Sequence, residues 1–247
     1  MEDKKGRDNG EWIVEVKGIA KSFGNIRALE GIDLKVRKGE FLTIIGPNGA
    51  GKTTLIKIFS TLMKPTSGEG RIVGFNLGGE EENLRRNIGM LSHYTYLYEN
   101  LTAYENLKFY GRLYEVKNIE EKIRRVIEEV GLETRLHDTV RTFSRGMRQR
   151  LSIARSIIHD PSLLLLDEPY TGLDQWSQKR FKNILKRFHS QGKTIIMTTH
   201  NLSCSLEMGD RVIILSSGKI LHEEEVTRIN LEELERLYPQ FRQRVRI

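Results

Sequence analysis

A glycine-rich segment followed by lysine and threonine carries the strongest chemical signal in this sequence. It has the spacing G-x-x-x-x-G-K-T and consists of Gly46, Pro47, Asn48, Gly49, Ala50, Gly51, Lys52, Thr53 and Thr54. An apolar run typical of a buried strand precedes it and a helical pattern follows it, which is the context that a phosphate-binding loop requires. Glycines let successive backbone N–H groups turn towards phosphate oxygens, and a helix start adds unpaired N–H groups and a positive dipole end. We therefore predict a nucleoside triphosphate site rather than an ordinary glycine turn.

Two carboxylates close a run of four leucines that predicts a strand buried on both faces. They are Asp167 and Glu168, which follow Leu163–Leu166. Ligands of open α/β sheets bind at the carboxyl ends of strands, so we expect both acids beside the phosphate loop. Asp167 and the hydroxyl of Thr53 would hold Mg²⁺, Lys52 would neutralise the outer phosphates, and Glu168 would accept a proton from the attacking water. The alternative, two surface acids at a strand end, fits a chain with a phosphate loop less well.

Three further residues each have a chemical and a structural interpretation. His200 follows an apolar strand pattern, a position that favours a phosphate-facing role. Ser144 opens a predicted helix, where it would bind an anion with the free N–H groups or serve only as an N-cap. Phe23 either stacks on a base or fills the core, and the residues alone favour the core. Four histidines are interpreted as structural or merely exposed: His137, His159, His189 and His222.

The composition excludes several classes of protein. The 247 residues suffice for a buried core, and the single cysteine, Cys204, excludes an internal disulfide. No apolar run approaches the roughly 18 residues of a membrane span, and the polar start, Met1–Gly10, predicts a frayed leader rather than a secretory signal. Lysine and arginine are interleaved with glutamate, so the net charge of +7 favours a solvated surface, and no nucleic-acid partner is expected.

Periodicity and turn residues predict an α/β protein. The predicted strands are Glu11–Lys17, Ile32–Val36, Phe41–Ile45, Arg71–Val73, Ile88–Leu91, Leu163–Leu166, Lys193–Thr199, Arg211–Ser216 and Lys219–His222. A turn is expected at Ala20–Asn25. Leu101–Val130 shows no strand pattern and opens with a capping box, Thr102 and Glu105, so it is predicted to be mostly helical.

The order of these elements defines the expected fold class. It is an α/β phosphate-loop NTPase core of mostly parallel strands, with an N-terminal antiparallel β subdomain and a helical insertion. Glu223–Tyr238 is predicted to be a charged amphipathic helix. Phe241–Ile247 is expected to form a basic tail.

Five segments in sequence resemble the ATP-binding subunit of an ABC transporter, over about residues 12–222. They are the phosphate loop, Phe143–Arg150, Leu163–Pro169, Thr171–Asp174 and His200. The second of these separates the family from other phosphate-loop enzymes. The resemblance implies one ABC ATPase domain over residues 1–247, with a nucleotide-binding core at 12–93 and 161–222, a helical subdomain at 94–160, and a C-terminal helix and tail at 223–247.

The resemblance also assigns roles to matching positions. It implies that Phe23 stacks on adenine, which overturns the core interpretation, and that His200 contacts the γ-phosphate and positions water. The segment that caps the ATP of the opposite subunit would be Ser144, Arg145, Gly146 and Met147. The loop that crosses the dimer interface would contain Gly172, Leu173 and Asp174. The implied protein is a Mg²⁺-dependent ATPase that works as a homo- or heterodimer with an integral membrane permease, at the cytoplasmic face of the membrane.

Two positions depart from the family pattern. His93 stands where the family usually has a glutamine that senses Mg²⁺, and an imidazole can also bind metal but changes its charge near neutral pH. Arg145 stands where a second signature glycine is usual. It adds bulk at a close approach and also a phosphate-binding fork. Around Ser92 and His93 the sequence is locally similar to the haem-exporter branch.

Three tyrosines after His93 have two interpretations. Tyr94, Tyr96 and Tyr98 either form an exposed groove for a cytoplasmic helix of the permease or pack under the helical insertion. Two rival functions are weighed against the transporter. A soluble ABC ATPase acting on nucleic acid or ribosomes would resemble tandem cassettes or carry long coiled coils, and this chain has neither. A regulatory GTPase would need an Asn-Lys-x-Asp motif, and no Asn-Lys pair occurs.

Overall fold

The computed structural model describes residues 11–92 and 94–242. The predicted leader, Met1–Gly10, and the candidate metal ligand His93 lie outside the described residues. So do residues 243–247, which form most of the predicted basic tail.

The N-terminal part of the chain forms a four-stranded antiparallel sheet, as expected. Its spatial order is β2-β1-β4-β5. The strands are β1 (Trp12–Phe23), β2 (Ile26–Arg37), β4 (Ser67–Ile72) and β5 (Phe75–Asn76). The turn predicted at Ala20–Asn25 was wrong in its first four residues, because β1 continues to Phe23, which pairs with Ile26. Only two residues remain for the turn, and its Gly24 has φ +57°, a conformation that glycine adopts at little cost.

A six-stranded sheet forms the centre of the molecule. Its order is β10-β9-β3-β8-β7-β6, and all neighbouring pairs are parallel except β9 with β10. The strands are β3 (Phe41–Ile45), β6 (Ile88–Leu91), β7 (Leu163–Asp167), β8 (Thr194–Thr199), β9 (Arg211–Ser216) and β10 (Lys219–Glu225). Because β3, β8 and β7 are adjacent and parallel, their carboxyl ends meet at one edge. The phosphate loop, Asp167, Glu168 and His200 lie at this edge.

Eight α-helices surround the sheets within the described residues. They are α1 (Lys52–Phe59), α2 (Glu81–Asn87), α3 (Ala103–Leu113), α4 (Ile119–Glu129), α5 (Arg145–Ile157), α6 (Gln175–Ser190), α7 (Leu202–Met208) and α8 (Leu231–Arg242). The predicted capping box is confirmed, since Thr102 and Glu105 satisfy each other's backbone N–H groups at the start of α3. The capping box therefore defines the start of α3, the first helix of the helical insertion.

The C-terminal region corrects two predictions. The helix predicted at Glu223–Tyr238 was wrong in its first part, because β10 extends to Glu225 and α8 begins only at Leu231. Glu223 in this extension forms an ion pair with Arg211 of β9, and pairing with β9 continues to Glu225, so this charged segment is a strand and not the first turns of a helix. The short α7 was not predicted, although its N-cap, Asn201, is the kind of residue that signals a helix start.

Two large apolar clusters hold the core together. One lies between the two sheets and around α1, and the other lies between the central sheet and α3 to α6. Phe41 at the centre of the molecule and Phe59 at the end of α1 are fully buried. The central sheet is therefore covered on both faces, and only its edges and strand ends are open to ligands.

A partly buried histidine makes the stability of this core depend on pH. The ring of His159, just after α5, stacks on Tyr114 with centroids 3.9 Å apart, and its Nε2 lies 3.1 Å from the Ile88 carbonyl oxygen. Burial lowers the pKa of His159 from 6.5 to about 4. The folded protein therefore favours the neutral ring, whereas the unfolded chain takes up a proton once the pH falls below 6.5.

We expect the stabilisation from this histidine to be present above pH 6.5 and to be lost as the pH falls towards 4. Relative to a His159→Phe variant, which keeps a stacking ring but cannot titrate, the native chain should lose on the order of 3 kcal/mol over this interval. Urea unfolding at several pH values measures the difference. Parallel stability curves for the two proteins would contradict the prediction.

Candidate functional site

The phosphate loop connects β3 to α1, and two of its glycines are required by close backbone approaches. A Cβ at Gly46 would lie 2.2 Å from the carbonyl oxygen of Leu215. Gly51 has φ +106° and caps α1, and a Cβ there would lie 2.5 Å from the carbonyl oxygen of Ala28. The loop is therefore pressed against β9 and β2, which fixes the direction in which α1 presents its first N–H groups.

Lys52 is buried at the start of α1 and is surrounded by oxygen atoms. Its Nζ donates hydrogen bonds to the carbonyl oxygens of Gly46 at 2.8 Å and Pro47 at 3.1 Å. It also lies 3.4 Å from Oε1 of Glu168. The ammonium group of Lys52 is therefore held at the phosphate loop by two carbonyl oxygens of the loop and by the carboxylate of Glu168.

Asp167 ends β7 with both carboxylate oxygens hydrogen-bonded. Thr53 Oγ1 donates to its Oδ2 at 2.8 Å, and Thr198 Oγ1 donates to its Oδ1 at 2.7 Å. Asp167 is buried, so a charged group here is tolerated because hydroxyl donors replace water. The two expected metal ligands, Thr53 and Asp167, are therefore adjacent.

Thr198 is a functional position that the sequence analysis missed. It lies on β8, between β3 and β7, and besides holding Asp167 it accepts a hydrogen bond from the backbone N–H of Glu168 at 3.0 Å. Its place two residues before His200, at the end of an apolar strand, was the signal available in the sequence. Glu168 itself has φ +48°, a conformation uncommon for a residue with a side chain.

The side chain of Glu168 joins three parts of the chain. Its Oε2 lies 2.7 Å from Nδ1 of His200 and its Oε1 lies 3.4 Å from Nζ of Lys52. The phosphate loop, the end of β7 and the end of β8 therefore meet at one carboxylate. Around it is an open cleft of about 580 Å³ whose lining residues are Ala28, Asn48, Gly49, Ala50, Gly51, Lys52, Thr53, Thr54, Asp167, Glu168, Thr171 and His200.

Phe23 lies outside this cleft and outside the core. It ends β1 with 47% of its surface exposed, and the ammonium group of Lys21 lies 5.4 Å from its ring centroid. The core interpretation that the residues alone favoured is therefore wrong. The exposed ring lies on the same sheet as Ala28, which lines the cleft. Its face is therefore available for stacking with a planar group such as a base.

The segment Ser144–Met147 starts α5, and none of its residues lines the cleft. Ser144 is the N-cap, and its Oγ accepts a hydrogen bond from the N–H of Met147 at 3.3 Å. Gly146 has no room for a Cβ, which would lie 2.5 Å from Oγ of Ser177. Arg145 donates from Nη2 to the carbonyl oxygen of Thr171 at 2.9 Å. The segment is thus joined to the loop that follows Glu168.

That loop, which the resemblance places at a dimer interface, is well anchored within the chain. Gly172 has φ +72°, and Leu173 is buried in the core that contains α5 and α6. Asp174 caps α6, and hydrogen bonds from the backbone and hydroxyl of Ser177 lower its pKa. Gly172 and Asp174, on either side of the buried Leu173, are exposed and open to another molecule.

The three tyrosines after position 93 form an exposed aromatic surface. Tyr94, Tyr96 and Tyr98 are 72%, 48% and 49% exposed, so they do not pack under the helical insertion. Tyr98 contacts the exposed ring of Phe109 at a centroid distance of 5.1 Å. The guanidinium group of Arg155 lies 5.6 Å from the ring centroid of Tyr96. Across the described ranges, no helix combines the length and apolar character that a membrane span needs.

A parallel sheet with a phosphate loop after one strand and two acids after another defines the class of phosphate-loop NTPases. Within that class, a family profile described as "ABC transporter" matches residues 29–171. The chain belongs to the ABC transporter family. It is an ATP-binding subunit and an ABC-type ATPase, and the expected fold class is confirmed.

Two relatives illustrate this membership. The chain is 40% identical over 214 residues to the uncharacterized ABC transporter ATP-binding protein YdbJ of Bacillus subtilis, covering 86% of this chain and 69% of that protein. It is 37% identical over 212 residues to the daunorubicin/doxorubicin resistance ATP-binding protein DrrA of Streptomyces peucetius, covering 85% of this chain and 64% of that protein. Both alignments include the phosphate loop and the acidic strand end within their span.

A solved structure is similar in fold as well. It is a dimeric post-hydrolysis state of the ATP-binding cassette MJ0796 bound to ADP and Pi, with a TM-score of 0.78, 29% identity, and coverage of 86% of this chain and 98% of that chain. A structure described as the ATP binding subunit of an ABC transporter has a TM-score of 0.83 and 29% identity, covering 93% of this chain and 99% of that chain.

Proposed function

We propose that this chain powers a membrane transporter by closing as a dimer on two ATP molecules and reopening after hydrolysis. The observation that carries the proposal is the contact of Glu168 with both Lys52 and His200 at the mouth of the phosphate loop. In this proposal Glu168 is the base, Lys52 binds the terminal phosphate and His200 contacts it, and their mutual contacts support these roles. The dimeric state of the related cassette MJ0796 supports a dimer of this chain with itself or with a similar subunit.

Binding of the triphosphate begins with the backbone of Gly46–Thr54 and with Lys52. When a γ-phosphate enters, it competes with Glu168 for the ammonium group, since both are anions within reach of the same cation. The adenine would stack on exposed Phe23. Lys52 and the ring of Phe23 are already in place, so the main change on binding is that phosphate replaces Glu168 at the ammonium group.

Thr53 Oγ1 and Asp167 Oδ2 would hold Mg²⁺. Oxygen donors of this kind are what the ion prefers, and their 2.8 Å separation suits two ligands of one small cation. Bound Mg²⁺ would offset the charge of the phosphates. A role for His93 as a further ligand stays a prediction.

Hydrolysis requires that Glu168 accept a proton from a water molecule facing the γ-phosphate. Nδ1 of His200 lies 2.7 Å from Oε2 of Glu168, so His200 holds the acid in one orientation. Its Nε2 would face a phosphate oxygen, to which it donates only when both ring nitrogens carry a proton. Asp167 stays bonded to Thr198 throughout. The closed site would be completed by the opposite subunit through Ser144–Met147, whose N–H groups can bind an anion.

The transport partner would be an integral membrane permease, with this chain peripheral to it at the cytoplasmic face. The helical subdomain at residues 94–160, between core segments 12–93 and 161–222, would carry the contact. Its exposed aromatic rings are the kind of surface that accepts a partner helix. To test the function, the chain is co-purified with a multi-span protein encoded in a neighbouring reading frame and reconstituted in vesicles. We expect ATP-driven transport, whereas stimulation of ATPase activity by RNA or DNA alone would point to the soluble alternative.

Replacing Tyr96 and Tyr98 by alanine is expected to uncouple transport from ATP hydrolysis. Both rings are about half exposed, so their removal should weaken permease docking by at least tenfold, as for aromatic interface anchors, and leave hydrolysis by the isolated chain intact. Vesicle transport and ATPase assays measure the two effects. Leu62→Ala, at an exposed apolar residue after α1, is the matched control. Loss of basal hydrolysis in the double variant would show instead that the rings support the fold.

A further inference from the structure

The turn that follows Glu168 is held by side chains of α5. Glu168 starts the turn, and its carbonyl oxygen accepts a hydrogen bond from the N–H of Thr171 at 3.2 Å. Gln149 donates from Nε2 to the carbonyl oxygen of Pro169 at 2.9 Å. Arg145 donates from Nη2 to the carbonyl oxygen of Thr171 at 2.9 Å. Two of the three peptide carbonyls after Glu168 are therefore bound by one helix.

The two donors lie four residues apart, so they project from the same face of α5. The contact of Arg145 extends beyond one hydrogen bond, because a Cβ at Gly172 would lie 2.2 Å from Nη1 and 2.3 Å from Cζ of Arg145. The guanidinium group thus packs on the glycine where any other residue would carry a side chain. A side chain at position 172 would have to displace the end of the Arg145 side chain, and the φ of +72° at Gly172 favours glycine there as well.

No ion pair is recorded for Arg145 over residues 11–92 and 94–242, although the neighbouring Arg148 bonds Glu99 at 2.8 Å. The guanidinium group of Arg145 donates to the carbonyl oxygen of Thr171 and not to a carboxylate. At its other end the turn is anchored by Thr198, which accepts from the N–H of Glu168. Glu168, in its uncommon positive-φ conformation, is therefore held between β8 on one side and α5 on the other.

We propose that Arg145 and Gln149 are positioning residues that hold the Pro169–Gly172 turn and so aim the Glu168 carboxylate at the nucleotide cleft of the same subunit. The proposal rests on the proposed role of Glu168 as general base. It assigns Arg145 a task in its own subunit, distinct from the contact with the opposite subunit's ATP that the family pattern implies. Because α5 belongs to the helical insertion, this contact also makes the orientation of the base depend on where that insertion lies.

The test compares steady-state kinetics of the full chain and its Arg145→Ala, Arg145→Lys and Gln149→Glu variants. Gln149→Glu keeps the shape of the side chain but cannot donate a hydrogen bond. We expect Arg145→Ala and Gln149→Glu each to lower kcat about three- to tenfold, as the loss of one such hydrogen bond would, with the KM for ATP unchanged within twofold. Arg145→Lys, which retains one charged donor, should recover at least half of the native kcat.

Arg148→Ala is the matched control, since it removes a positive charge from the same helix without touching the turn. Its kcat should equal the native value. Thermal unfolding of every variant identifies any that fails to fold. If Arg145→Ala does not fold, Gln149→Glu and Arg145→Lys still test the proposal. A native kcat in both Arg145→Ala and Gln149→Glu would overturn the proposal.

A second measurement distinguishes this positioning role from direct contact of Arg145 with the ATP bound to the opposite subunit. In the Glu168→Gln background, we expect Arg145→Ala to leave ATP-dependent dimer formation intact, as judged by size-exclusion chromatography. Loss of the dimer, or a raised KM with native kcat, would place Arg145 on the nucleotide and refute the positioning role. Failure of the base assignment itself is recognised differently, by turnover that persists in Glu168→Gln alone.

Discussion

Glu168→Gln is expected to bind ATP like the native chain and to lose about 10²- to 10⁴-fold in turnover, the usual contribution of a general base. The amide cannot accept the proton of the attacking water. It also removes a negative charge close to the site of the terminal phosphate, so the closed, ATP-bound dimer should accumulate. Steady-state ATPase assays and size-exclusion chromatography with ATP measure the two effects.

The structure supplies a matched control for this variant. Glu207 is likewise an acid with lysine partners, Lys182 and Lys186, but it is not among the residues that line the cleft. Glu207→Gln should hydrolyse ATP at the native rate. Single-turnover hydrolysis at the native rate by Glu168→Gln would reject Glu168 as the base, and attention would then pass to other groups that line the cleft.

Lys52→Ala is expected to abolish ATP binding or turnover, with a loss of at least about 100-fold in affinity or kcat, since a buried charge-assisted contact to phosphate is removed. The change also leaves the carbonyl oxygens of Gly46 and Pro47 without their donor. The oxygen-lined space would then repel a phosphate instead of attracting it. Calorimetric titration with ATP, followed by an ATPase assay, measures the effect.

Lys57→Ala, on the same helix as Lys52, is the control for loss of a lysine from α1. It should retain ATP binding, because Lys57 is not among the residues that line the cleft. Native affinity and native turnover in Lys52→Ala would contradict the assignment of this lysine to the phosphates.

Short-range patterns predicted most of the central sheet. The strands next to the site are β3, β7 and β8, and each contains a short apolar run followed by glycine or polar residues. Their observed bounds agree with the prediction to within one residue. The predicted strand ends were wrong where the strand pairs with residues distant in the sequence. Ala20–Phe23 carries a turn-like composition yet continues β1, and the charged Glu223–Glu225 continues β10. In both cases hydrogen bonding to a neighbouring strand outweighed local preference.

Phe23 and Arg145 show the same limit at the level of side chains. Nothing local decides whether an aromatic residue at the end of a strand faces the core or solvent, and the sheet geometry places Phe23 outside. The sequence allows Arg145 either to add bulk or to bind phosphate, whereas in the structure it donates to the carbonyl oxygen of Thr171, 26 residues away. Such a contact follows from how α5 packs on the turn after β7, which no sequence window contains.

By itself the sequence determined the chemistry that this protein carries, because a phosphate loop and an acidic strand end are defined by consecutive residues whose backbone conformations follow from residue type. The tertiary structure decided which of these groups meet. Lys52, Glu168 and His200 converge because β8 lies between β3 and β7, and Thr198 joins the site for the same reason. Strand order is set by packing of the whole sheet against its helices, so it, and the hold of α5 on the Glu168 turn, could be seen only in the folded chain.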